Sequence, residues 1–163
     1  MRNFLKTTTI ATAIALGSIS TLGAISAFAA DEVSVTADAQ AANLAIQGYD
    51  VVSYRSGAPV EGAARFATDY EGATYRFASQ DNLDAFTADP ARFAPAYGGF
   101  CAYGVAKGKK FDADPLAYTV KNDRLYLNLN KRIQKKWLKK QEKYIGQAEI
   151  NWPEIEHVSA SEL

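Results

Sequence analysis

Two segments constrain the fold more than anything else in the chain: FATDYEGATYRF, residues 66–77, and YTVKNDRLYLNLN, residues 118–130. Each places bulky residues in alternation on either side of a polar break. A period of two marks a strand with two unlike faces, and two such runs around a turn mark an antiparallel hairpin. In the first, Phe66 and Tyr70 precede Glu71-Gly72, and Tyr75 and Phe77 follow it. In the second, the break is Lys121-Asn122-Asp123-Arg124; Leu125, Leu127 and Leu129 then occupy one face, with Tyr126 and Asn128 on the other. A lone hairpin is marginal in water and needs a helix or further strands against its apolar face. The sequence therefore predicts a small single-domain α+β fold with two antiparallel hairpins, a short central helical pair and one C-terminal amphipathic helix across them.

The helices carry their own signals. Ser79 is a good N-cap, Asp81 falls in the first turn where the helix dipole favours an acid, and Leu83 and Phe86 share a face. Asp89-Pro90 restarts the pattern, Phe93 continues it and Pro95 stops it. Asn130 caps KRIQKKWLKKQEKYIGQAEI, read as one helix over 131–150 with Ile133, Trp137, Ile145 and Ala148 near one stripe and Leu138 beside it. Upstream, Gly48 and Asp50 in AIQGYDVVSY mark a turn, and residues 51–54 read as extended. Beyond the two hairpins, which differ in sequence, no internal repeat is read.

The N-terminus has Arg2 and Lys6 ahead of an uncharged Ala/Ile/Leu-rich stretch that ends in Ala27-Phe28-Ala29. This is the pattern of a cleaved secretory signal, residues 1–29, of bacterial length, and it implies a periplasmic or secreted protein. Its apolar stretch is interrupted by Thr, Ser and Gly, so stable membrane insertion is not expected. Residues 30–44 read as a flexible arm, 45–153 as the domain and 154–163 as an acidic tail. The basic run from Lys131 to Lys143 reads as a solvated helix face, and an exported chain is not expected to meet nucleic acid.

Taken in order, GYDVVSY, FATDYEGATYRFASQDNLDAFTADPARFAPAYGGFCAYGVAKG, LYLNLNKRIQKKWLKKQEKYI and NWP resemble exported bacterial proteins of the YHS-domain family. The resemblance spans 45–153; residues 66–95 are the YHS-like part, and GGFCAYG with NWP is similar to the exported subgroup. It implies a small α+β unit related to metal-binding treble clefs, with copper or another soft metal as the expected cofactor class. The exported subgroup also resembles possible selenoproteins, which points to thiol redox chemistry if Cys101 stands at the selenium position. This chain departs from relatives fused to copper-transporting ATPases. It has no CxxC, no methionine after Met1 and Arg55 where relatives carry a histidine, and its one histidine is His157 in the tail.

Cys101, the only cysteine, is thus the candidate metal ligand or redox thiol, with Tyr97, Gly98, Gly99, Tyr103, Tyr54 and Arg55 as candidates for its pocket. A soft-metal site needs two to four thiolate or imidazole ligands. One thiol and one distant imidazole leave a second chain, or an envelope protein partner, to complete it. A nucleophilic thiol needs a lowered pKa, and a helix starting near Ala102 points a favourable dipole at the sulfur. The third reading makes Cys101 a small buried hydrophobe in an envelope interaction domain. Asp112, Asp114 and Asp123 read as turn or cap residues, with a hard-cation site as the alternative. No catalytic constellation is present, so a binding or accessory module is expected rather than an enzyme.

Overall fold

The structure is a computed structural model that describes residues 43–163. The expected signal peptide and residues 30–42 of the arm lie outside the described residues. The described residues already include the end of that arm: the Asn43 carbonyl accepts from Thr74 N–H at 2.8 Å, and Leu44 is buried.

The two hairpins form as the alternation dictates. Strand β1 (Ala63–Tyr70) pairs with β2 (Ala73–Phe77), and β3 (Asp114–Lys121) pairs with β4 (Arg124–Asn128). Each turns through two residues of positive φ, Glu71 and Gly72 in one, Asn122 and Asp123 in the other. That turn matches the right-handed twist of its strands and favours Gly, Asn and Asp. The helices are α1 (Gln80–Ala88), α2 (Pro90–Phe93), α3 (Ala102–Val105), α4 (Lys131–Leu138) and α5 (Gln141–Ile155).

Contrary to the reading from sequence, the chain repeats itself. The elements of residues 44–94 recur 51 positions later in residues 95–145 without insertion or deletion. Both hairpins carry the same irregularity: Ala63↔Phe77 shifts to Ala67↔Arg76, and Asp114↔Asn128 shifts to Tyr118↔Leu127. A left-handed turn opens each unit, through Ile46 and Gln47 in one and Tyr97 and Gly98 in the other. Gly48 (φ 84°) and Gly99 (φ 82°) close these turns in a region open to glycine at little steric cost. The N–H of Asp50 donates to Val60 O at 2.9 Å, and that of Cys101 to Phe111 O at 2.9 Å. Ser79 caps α1 and Asn130 caps α4 through the N–H three residues on. Only Ala45/Ala96, Gly48/Gly99, Gly57/Gly108, Thr68/Thr119 and Tyr75/Tyr126 are identical between the units.

Each unit packs one bulky ring from its helix onto its hairpin. Phe86 stacks on Tyr75 with centroids 4.8 Å apart, and Trp137 lies 5.4 Å from Tyr126. The units share β4, whose Leu125 and Leu127 enter the first core while Tyr126 enters the second. Both faces of β4 are therefore buried, Asn128 included, and Leu129 sits exposed beyond its end. The expected division of Leu125 and Leu127 from Tyr126 holds, and only Leu129 leaves its assigned face.

Two further expectations change. Residues 51–54 are not extended. Asp50 Oδ1 accepts from Val52 N–H at 2.8 Å and Ser53 N–H at 3.3 Å, winding the chain into a turn and a 3-10 segment over Ser53–Ser56. The single C-terminal helix is two, because Lys140 leaves helical geometry (φ −144°, ψ 45°). Its N–H bonds Trp137 O at 3.1 Å, as Asp89 N–H bonds Phe86 O at 3.1 Å where α1 ends. The last residues are held in place as well. Lys110 is buried and its ammonium donates to Glu156 O and Val158 O, both at 2.7 Å, while Ile155 enters the second core.

Candidate functional site

Cys101 stands one residue before α3 and is 1 % exposed. Backbone N–H groups of Gly104, Leu129 and Tyr103 approach its sulfur, and its S–H faces Asn128 Oδ1 at 3.9 Å. Burial outweighs those donors and pushes the thiol pKa up, so the group stays protonated. The repeat explains the surroundings, since the counterpart of Cys101 is Asp50. Asp50 is also fully buried, and its carboxylate accepts from Val52, Ser53 and Ala78 N–H and from Asn82 Nδ2. Donors two and three residues ahead, and one just past the hairpin, recur at both positions. Cys101 thus occupies a capping position of the fold that the first unit fills with a carboxylate.

The soft-metal expectation meets that geometry poorly. Among the described residues no three His, Cys, Asp or Glu side chains gather closely enough to hold an ion. With its sulfur buried, Cys101 could join a site shared between two chains only if the fold opened around it. The hard-cation alternative loses Asp123: Asp112 and Asp114 line one hollow, where Asp114 accepts from Leu116 N–H, while Asp123 lies at the opposite end of the β3–β4 hairpin, in its turn.

The expected pocket residues do not surround the sulfur as a group. Tyr54 belongs to the first core, its hydroxyl donating to Pro115 O at 3.1 Å. Tyr103 contributes its backbone N–H to Cys101, while its ring packs on Tyr144 at 5.0 Å. Gly99 is buried in the left-handed turn. Arg55 reaches across the units: Nε donates to Asp123 Oδ1 at 2.8 Å, Nη2 donates to the Asp123 and Arg92 carbonyls, and the guanidinium lies 4.4 Å from the Phe93 ring centre. Tyr97 and Gly98 alone line a cavity.

That cavity, of about 490 Å³, lies where the two hairpin turns approach one another, between the units. Tyr70 and Arg92 come from the first unit, Tyr97, Asp123 and Arg124 from the second, and Trp152 from α5. Asp123 is held by both Arg92 and Arg55, whose hydrogen bonds keep its carboxyl below the usual range. Arg124 donates to Glu149 at 2.9 Å and lies over the Tyr97 ring at 5.3 Å. Burial, then a hydrogen bond to Glu149, raises the Tyr97 hydroxyl pKa; burial, then Glu71, does the same for Tyr70. Both phenols are donors here and neither is a base. Each arginine still presents guanidinium N–H groups beyond the one spent on its carboxylate partner.

Sequence reasoning did not bring Tyr70, Arg92, Arg124 and Trp152 together in one cleft. The only signal was the pair of turns at 71–72 and 122–123, and their approach depends on how one unit docks on the other.

The match to known families falls on the first unit. Residues 51–97 fit the family model described as the YHS domain. No curated protein and no solved structure matches the chain. The match begins beside Asp50 and ends at Tyr97 on the cavity wall, so the similarity to the YHS domain lies almost wholly within the first unit.

Proposed function

We propose that this protein is an exported, non-catalytic binding module that holds a small aromatic organic anion in the cleft between its two units. One observation carries the reading: a cleft of about 490 Å³ whose walls combine three aromatic rings with the guanidinium groups of Arg92 and Arg124. Rings offer a face for a flat apolar body, and arginine forks match a carboxylate in bidentate geometry. Tyrosines kept protonated and arginines already paired favour holding a ligand over transforming it. The leader-like N-terminus supports export, and no helix among the described residues is long and apolar enough to cross a membrane.

The test is titration with 4-hydroxybenzoate, read by the fluorescence of Trp152, against inorganic phosphate as a control lacking the ring. Saturable quenching by the aromatic acid alone is expected. Arg124→Ala should weaken it about tenfold or more, the scale of one charge-assisted hydrogen bond. A response that is absent, or unchanged in Arg124→Ala, removes this cleft as the site.

A further inference from the structure

The repeat supplies an internal control for the most charged surface of the molecule. Residues 44–94 carry seven acidic and four basic side chains, whereas residues 95–145 carry four acidic and twelve basic. The contrast is sharpest on matching helices. Asp81, Asp84 and Asp89 on and after α1 correspond to Arg132, Lys135 and Lys140 on and after α4. Ala85 and Ala88 correspond to Lys136 and Lys139.

All seven basic residues from Lys131 to Lys143 are exposed, while Trp137 on the opposite side of α4 is buried. Since α1 docks its Phe86 in the same way with acids and alanines at these places, packing does not require the lysines. Crowded like charge destabilises a folded chain through self-repulsion. Lys131 donates to Leu116 O and Lys136 lies at the Tyr103 ring, but most of the cluster carries this cost where the matching helix does without it, which points to something outside the molecule.

We propose that the outer face of α4 is a docking surface for an anionic phospholipid bilayer. Seven exposed cations spread over Lys131 to Lys143 suit an array of phosphate charges. Lys107, exposed on the loop after α3, lies with Lys136 at the Tyr103 ring and widens the basic area. Leu138, 46 % exposed, gives the helix an apolar contact toward the headgroup boundary. Long lysine stems can lie along such a boundary with their ammonium groups at the phosphates. Attachment of this kind is peripheral, additive in lysines and screened by salt.

Co-sedimentation of the purified protein with phosphatidylglycerol vesicles and with phosphatidylcholine vesicles tests this. Binding to the first, at least about tenfold weaker for the second and lost at high salt, is expected. Lys135→Glu with Lys139→Glu should abolish it while leaving thermal unfolding little changed, as α1 already tolerates Asp84 and Ala88 there. Arg65→Glu, on the first unit, should leave binding intact. Equal binding to both lipids, binding retained in the double variant, or binding to polyanions such as heparin without binding to vesicles, each overturns the proposal.

Discussion

Residues 44–94 and 95–145 trace the same path through the same left-handed turn, bulged hairpin and capped helix, yet they agree at five positions. What persists is backbone hydrogen bonding and the burial of one large ring per unit. What changes is the chemistry of nearly every exposed position and of several buried ones, Phe77 against Asn128 and the cap Asp50 against Cys101 among them. The difference teaches that the fold fixes where a donor points and leaves open whether oxygen or sulfur receives it.

The equivalence breaks most visibly at the rings. Phe86→Ala and Trp137→Ala should each cost about 3–5 kcal/mol in urea denaturation, the usual loss for a buried aromatic. A cost below about 1 kcal/mol for either would mean that the units do not bear equal weight. The caps should separate them next. Asp50→Ala strands several buried donors and should cost about 3 kcal/mol, whereas Cys101→Ala removes a weak acceptor and should cost about 1 kcal/mol. Equal costs would say that Cys101 is more than a packed cap.

A smaller effect follows from the thiol. Its folded pKa is raised, so its contribution to stability is whole below the ordinary thiol range and declines as pH climbs through it. Stability measured against pH should therefore droop on the alkaline side in the native chain and not in Cys101→Ala. A thiol reagent should find Cys101 only on unfolding; fast labelling of the native protein would revive a reactive sulfur. The least effect belongs to Asp123. Its lowered pKa stabilises the fold above the ordinary carboxylate range and ceases to do so as pH falls through the folded value. Asp123→Asn should thus unfold slightly earlier than the native protein at neutral pH, with the gap closing in acid.

Legibility in the sequence followed the kind of signal. Both hairpins, the Ser79 and Asn130 caps and the Asp89-Pro90 break were readable because each depends on side chains close in sequence. The matching break at Lys139-Lys140 carries no proline and no short polar cap, so KKQEK read as continuous helix. The extended reading of 51–54 missed that Asp50 can fold its own backbone forward. The repeat itself was hidden because the units conserve φ and burial rather than residue type. The cleft was hidden because its walls meet only through tertiary docking, with Arg55, Arg92 and Asp123 binding one unit to the other.

The cleft also gains something from lying within one polypeptide. Were the two units identical separate subunits related by a twofold axis, any residue on one wall would have to appear on the other. Joined end to end, they escape that symmetry: Glu71 faces the cleft at one hairpin tip, and Asn122 and Asp123 at the other. A ligand can then be gripped in one orientation, with its charged end and its flat end told apart.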